Sequence, residues 1–246
     1  MNAPCKVWDL MTDTVVYLQP AFILQQRKFR ETSLIIDVLT RDFGRVSILA
    51  KGVRKAKSKS AGLLQPFTPL SLSFFGKTEL KTLSNVEREQ PVDHQLQGLA
   101  LYCGFYVNEL IEHFLHKYDP HPEVFELYKK CLERLLDSSK IEAALRIFEL
   151  DLMDAVGYGL QLEYDCQNNK AVQALKHYHY NTEQGPLEAV NGSYSGKTLL
   201  ALKSRQLSDA ETLHEAKTLM RSVIALYLHG KPLKSRAVIN QIIQYL

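Results

Sequence analysis

No apolar run in the 246-residue chain approaches the ~18 residues that a helix needs to cross a bilayer. The amino terminus, MNAPCKVWDLMTDTVVYLQP, carries Asp9 and Asp13 and lacks the basic-then-apolar order of a secretory leader. Cysteine is scarce. Cys5, Cys103, Cys131 and Cys166 stand far apart with no paired spacing, which argues against a disulfide framework and reads as free thiols in a cytosolic chain. There is no nucleophile elbow, no pair of carboxylates on an evident scaffold and no Cys–His signature, so the residues point to a non-enzymatic protein without cofactor or metal. Internal repeats are missing too. A hydrophobic content of 46% with 23% charged residues excludes a wholly disordered chain, and the length accommodates one large domain or a few small ones.

Acidic residues are what the first third lacks. Residues 22–81 hold twelve Lys/Arg against four Asp/Glu, a charge of +8, whereas residues 82–246 sum to −4. An asymmetry of this kind points to a polyanionic partner for one end of the chain. Its centre is ILAKGVRKAKSKSAGLLQPFTP, residues 48–69, where Lys51, Arg54, Lys55, Lys57 and Lys59 fall between two apolar segments with no acid among them. Such a loop is either a solvated tip or a contact for a polyanion. Arg27, Lys28, Arg30, Arg41 and Arg45 extend the charge onto the flanking strands, and Phe29, Phe43, Phe67, Phe74 and Phe75 interleave with it. Basic groups beside an aromatic platform suit single-stranded nucleic acid, with phosphates supplying salt-dependent affinity and bases stacking regardless of sequence.

The stretches AFILQQ, TSLIIDVLT, GRVSILAKG, PLSLSFF and ELKTLSNVE are short, rich in branched and aromatic residues and separated by polar or glycine turns, which predicts five strands. Gly44 supplies the positive φ of a tight hairpin, and Pro66 and Pro69 punctuate the entry to the fourth strand. Five strands with a long loop after the third suit an OB-fold barrel; an SH3-like meander has a similar pattern. From Pro91 the period lengthens. Leu96, Leu99, Cys103, Tyr106, Leu110 and Phe114 mark one helix, PEVFELYKKCLERLL a second, and Ile141 to Val156 a third that stops at Gly157. KHYHYNTEQGPLEAV has the alternation of a hairpin, Ser208 and Asp209 cap a helix through Tyr227, and a short helix follows from Arg236.

GSYSGKT, residues 192–198, resembles a phosphate-binding loop but sets its first glycine one residue too close to the Gly-Lys pair, so it reads as a turn. His113, His116 and His121, with Asp119 among them, are more simply explained by the helix C-terminus than as metal ligands. His177 and His179 alternate onto one face of the hairpin as surface residues.

AFILQQRKFRETSLIIDVLTRDFGRVSILAKGVRKAKSK and LLQPFTPLSLSFFGKTELKTLSNVE, with LYCGFYVNELI, ALRIFELDLMDAVGYG and KPLKSRAVI downstream in the same order, resemble the bacterial RecO family over about residues 18–245. The resemblance implies an α+β protein: an N-terminal five-stranded OB-fold barrel followed by a mostly helical domain with a small β-containing insertion. Residues 1–17 are then an extension, 18–88 the OB-fold DNA-binding domain, 89–159 a helical bundle, 160–205 an irregular, hairpin-containing segment in the place of a zinc module, and 206–246 helices packing on the bundle. It further implies a cytoplasmic, nucleoid-associated mediator of DNA repair and homologous recombination. Such proteins bind single- and double-stranded DNA, anneal complementary strands, and act with RecR and the C-terminal tail of single-strand DNA-binding protein to help load RecA. DNA contact maps onto Arg27, Lys28, Arg45, Lys51, Arg54, Lys55, Lys57 and Lys59. Many relatives carry a four-cysteine zinc module; this chain has only Cys166 there and should hold no zinc.

An acidic, phenylalanine-ended tail needs an apolar pocket rimmed by positive charge. Arg146 lies inside the apolar run AALRIFEL, where it must either pair internally with Glu142 or Glu149 or meet an external anion. With Lys129, Lys130 and Arg134 it is the expected tail site. KPLKSR, residues 231–236, is either a second DNA contact or a capped helix start. Two other functions remain open: a barrel that binds a folded acidic protein, and an RNA-binding OB protein, which would sense the 2′-OH.

Overall fold

The computed structural model describes residues 15–56, 58, 60–89 and 95–243; Cys5, Lys57, Lys59, the period change at Pro91 and most of the expected amino-terminal extension lie outside them. Two compact units are present. The first takes the residues up to Gln95 with Asn108–Phe125, and the second takes Leu96–Val107 with the residues from Glu126 onward. None of the described helices is long and apolar enough to cross a membrane.

In the first unit, β1 (Val16–Phe29), β2 (Ser33–Thr40), β3 (Gly44–Ala50), β4 (Leu70–Phe75) and β5 (Leu80–Arg88) close into a barrel in the order β1-β2-β3-β5-β4. Neighbouring strands are antiparallel except β3 and β5, which run parallel with Ser47 opposite Leu80. That crossover defines the OB-fold and excludes a meander, in which β3 would pair with β4. Ile23, Ile36, Val38, Val46, Ile48 and Leu72 alternate into the barrel interior and are fully buried, each stabilising it by roughly 1.5–3 kcal/mol. At 14 residues β1 is far longer than the stretch AFILQQ. A bulge between Ile23 and Gln25 interrupts its pairing, with β4 opposite Val16–Ala21 and β2 opposite Ala21–Phe29. Gly44 has φ +65° and packs so closely on the following segment that a Cβ there would sit 2.2 Å from the Asp119 carbonyl oxygen.

In the second unit, the first half of α1 (Gly98–Phe114) joins α2 (Pro122–Leu135) from Glu126 on, α3 (Ile141–Ala155), α4 (Gly196–Ser204), α5 (Ala210–Tyr227) and α6 (Lys234–Ile243). Between α3 and α4 lies a three-stranded sheet, β7-β6-β8, made of β6 (His177–Asn181), β7 (Gly185–Glu188) and β8 (Tyr194–Ser195). Asp209 caps α5, its carboxylate accepting from the Thr212 amide at 3.1 Å. Gly157, at φ +83°, follows the end of α3.

GSYSGKT is more than a turn: Tyr194–Ser195 is a strand that runs directly into α4, with Ser195 as its N-cap. The first turn of α4 already has its anion, because Glu215 accepts from both the amide and the hydroxyl of Ser195 at 2.8 Å. The glycines answer to packing instead. A Cβ on Gly192 would lie 2.3 Å from the Tyr178 nitrogen, and one on Gly196 would lie 2.0 Å from the Gln173 carbonyl oxygen.

Asp165 organises the segment between α3 and β6. Its Oδ1 accepts from the Gln167 and Asn168 amides at 2.9 Å, and its Oδ2 accepts from the Glu188 amide on β7 at 2.5 Å. The Cys166 amide donates to the Pro186 carbonyl at 2.7 Å, so one carboxylate and the neighbouring backbone tie the loop to the hairpin. Burial raises the Asp165 pKa, but the three amides outweigh it and hold the carboxyl below its ordinary value. Asp165→Asn gives up half of this acceptor set and should cost about 1–3 kcal/mol in urea denaturation near neutral pH. The wild-type advantage should be complete above the unfolded carboxyl value of about 3.9 and disappear as pH falls through the lower folded value.

Candidate nucleic-acid interface

The register of the barrel gathers most of the predicted cations at one end. Phe29 pairs with Ser33 and Leu34 pairs with Ala50, so the end of β1, the start of β2 and the loop leaving β3 lie side by side. The loop then folds back on the β1–β2 turn: the Arg54 amide donates to the Thr32 carbonyl at 2.9 Å and Arg54 Nη1 to the Arg30 carbonyl at 3.3 Å. Arg27, Lys28, Arg30, Lys51, Arg54 and Lys55 are all exposed there, with Glu31 the acid in the adjoining turn. Lys57 and Lys59, predicted to belong to this group, lie outside the described residues. Arg88, which sequence reasoning missed, joins this end because β5 runs parallel to β3; its Nη2 donates to the Gly62 carbonyl at 3.2 Å. Nothing local in NVER marks it, since only the crossover brings it to the loop.

Arg41 and Arg45 lie at the opposite end of the barrel, on the β2–β3 hairpin, so the charge seen along the chain divides into two groups. Arg41 forms an exposed ion pair with Asp42 at 3.0 Å. Arg45 is half-buried, and its Nη1 donates to the carbonyls of Glu112 and Leu115 at 2.6 and 2.8 Å. Those carbonyls lie in the last turn of α1 and just past it, where backbone acceptors run out of helical partners and a cation is favoured. Burial draws the Arg45 pKa down while the carboxylates of Glu112 and Asp37 pull it back up. Arg45, predicted to touch DNA, therefore fastens a helix end. The aromatics divide likewise: Phe74 is barrel core, with Phe43 edge-on against it at 6.0 Å, whereas Phe29 lies at the basic end with the Arg30 guanidinium 5.3 Å from its ring centroid.

The second unit contains a cavity of ≈ 60 Å³ lined by four cations: Arg146 on α3, Lys217 and Arg221 on α5, and Arg236 on α6. Leu99, Cys103, Ile141, Leu145 and Ile239 make its apolar wall. Burial pushes the Cys103 thiol up to about 11, so it is an inert part of that wall. Arg146 is 6% exposed and pairs through Nη2 with Glu149, itself 1% exposed and one turn along α3. The Tyr106 hydroxyl donates to the same Glu149 oxygen at 2.6 Å, and Arg236 donates to the Tyr106 oxygen at 3.1 Å from above its ring. Among the described residues, the buried side-chain atoms without a hydrogen-bond partner are Arg146 Nε and Glu149 Oε2 here and Arg45 Nε in the barrel unit. Thus both readings of Arg146 have a basis here: it is internally paired and it faces a pocket.

Lys129, Lys130 and Arg134, predicted beside Arg146, do not line this cavity. The buried face of α2 is Val124, Phe125, Tyr128, Cys131, Leu132 and Leu135, which leaves those cations on its polar side. Lys217 and Arg221 take their place; their spacing of four was the available signal, since it sets both on one face of α5. KPLKSR resolves into the start of α6, with Arg236 turned to Tyr106. His121 bonds Glu123 at 2.9 Å and Asp119 at 3.3 Å, and no group of three His, Cys, Asp or Glu among the described residues is placed to hold a metal ion.

The barrel is thus an OB-fold with a basic end, and the helical unit carries a cation-lined apolar pocket. Comparison with known proteins narrows this. Residues 11–92 match the family model Recombination protein O N terminal, and residues 95–237 match Recombination protein O C terminal. The chain is similar to proteins named DNA repair protein RecO from Methylococcus capsulatus (42% identical over 223 residues, covering 90% of this chain and 92% of the relative) and Dechloromonas aromatica (43% over 232 residues, 91% and 95%). The relative of that name in Coxiella burnetii is 41% identical over 228 residues, covering 91% and 98%. This chain belongs to the RecO family of DNA repair and recombination proteins.

The division of the arginines has a direct consequence for stability. Arg45→Ala removes two charge-assisted bonds and should cost about 1.5–3 kcal/mol in chemical denaturation. Lys51→Ala and Lys55→Ala should stay within about 0.5 kcal/mol of wild type.

Proposed function

We propose that the protein is a mediator of homologous recombination that binds single- and double-stranded DNA through the basic end of its barrel and acts by binding rather than by bond chemistry. The observation that carries this reading is the cluster of Arg27, Lys28, Arg30, Lys51, Arg54 and Lys55, six exposed cations converging from a strand and two loops. Neutralising phosphates releases counterions, so affinity depends on how many cations reach the backbone rather than on base identity. Phe29, held against Arg30, offers the stacking surface. Lys57 and Lys59 extend the same loop in sequence. Family membership supports the remaining steps: annealing of complementary strands, and action with RecR and single-strand DNA-binding protein to load RecA at the nucleoid in the cytoplasm.

The pocket around Arg146 is the dock we assign to the acidic, phenylalanine-ended tail of single-strand DNA-binding protein. Its apolar wall suits the ring, and Arg146, Lys217, Arg221 and Arg236 suit the carboxylates.

Fluorescence anisotropy of a labelled single-stranded oligonucleotide across salt concentrations tests the DNA surface. Changing Arg54, Lys55, Lys57 and Lys59 together to Ala should weaken binding and lower the log–log salt slope by up to ~3, since each single-strand phosphate contact contributes about 0.7. An unchanged slope would return the loop to solvent. A preference for ribose over deoxyribose would make the protein an RNA binder instead.

For the pocket, Arg146 is a poor target because its loss strands Glu149 without a counter-charge. Exposed Arg221 is better: Arg221→Ala should weaken a labelled acidic peptide ending in phenylalanine about tenfold, a loss of ~1.4 kcal/mol, with oligonucleotide affinity unchanged. Equal loss of both would remove the pocket assignment.

A further inference from the structure

One acid lies within the cation-lined pocket at its exposed side. Glu142, at the start of α3, accepts a hydrogen bond from Lys217 of α5 at 2.7 Å. Its side chain is 55% exposed against 30% for Lys217, so the pair sits toward the mouth, whereas Arg146 lies deep. The carboxylate also lies in the field of Arg146 and Arg221, and these cations together with the Lys217 hydrogen bond hold its pKa below the usual value. A pocket cation that would otherwise greet an incoming carboxylate is thus occupied by one belonging to the chain.

We infer that Glu142 is a built-in competitor, a side-chain stand-in for a ligand carboxylate that holds Lys217 in the empty pocket and is displaced when an acidic chain end docks. This rests on the pocket being a dock for such a chain end, and it adds a regulatory residue that the docking assignment does not require. The competition is electrostatic and partly exposed, so its size is that of an exposed ion pair. Removing it should tighten binding roughly twofold to fivefold. It also biases specificity by the same factor, because a ligand with several acidic groups can replace Glu142 on Lys217 as well as meet Arg146, whereas a single carboxylate cannot do both.

The test is a double-mutant cycle read by anisotropy of a labelled acidic peptide ending in phenylalanine, with wild type, Glu142→Gln, Lys217→Gln and the double variant. Glu142→Gln should bind the peptide about twofold to fivefold tighter than wild type at low salt. The gain should shrink at high salt, where exposed pairs are screened, and should vanish in the Lys217→Gln background. Glu142→Ala serves as a second removal of the charge, and matched melting curves for all variants separate competition from a change in folding. If wild type binds the peptide and Arg221→Ala weakens it, yet Glu142→Gln and Glu142→Ala bind no tighter, the competitor assignment is wrong and the dock stands. If wild type does not bind the peptide at all, dock and competitor fall together.

Discussion

A guanidinium keeps its charge when it leaves water, so a fold that buries one has to surround it with acceptors. Both units of this protein are built around that demand. In the barrel unit Arg45 is drawn off the β2–β3 hairpin onto the final carbonyls of α1, where helix-end acceptors would otherwise want partners. In the helical unit Arg146 meets Glu149 on the next turn of α3, and that carboxylate in turn takes the Tyr106 hydroxyl from α1, over which Arg236 of α6 is stacked. Each buried arginine therefore fixes the approach of elements distant in sequence. The chain could not relax these contacts without exposing a charge to an apolar interior at a cost of several kcal/mol.

The same rule separates cations engaged within the fold from those left at its surface. Arginines with acceptors built around them contribute little to the external field, because their charge is already answered locally. Those at the other end of the barrel bond mainly backbone carbonyls or none, so their charge remains available to a polyanion. The pocket in the helical unit is intermediate. Its deep arginine is paired with Glu149, and its mouth cation is held by Glu142.

Asp165 shows how one carboxylate can hold a loop. Its single carboxylate draws three backbone amides, two from the loop and one from β7, to one point. The hairpin could be read from its alternation. The carboxylate at its root could not, because an aspartate in a polar loop looks the same whether it faces solvent or caps a turn.

What the sequence by itself determined is the set of elements and their chemistry. Period-two and period-3.6 patterning marked the five strands and the main helices, and Gly44, Gly157 and Asp209 marked turns and caps at positions where only small or hydrogen-bonding residues serve. The acid-poor stretch around Lys51–Lys55 marked the basic surface. Tertiary structure alone decided which charges share a surface. The parallel β3–β5 pairing brings Arg88 to the basic end, the β2–β3 register sends Arg41 and Arg45 to the other, and the packing of α5 against α3, with Arg236 of α6 on Tyr106, puts Lys217, Arg221 and Arg236 around Arg146 in place of Lys129, Lys130 and Arg134. The reason is physical. Periodicity is a property of neighbours along the chain, whereas electrostatic surfaces are made by residues that meet only after strands pair and helices pack.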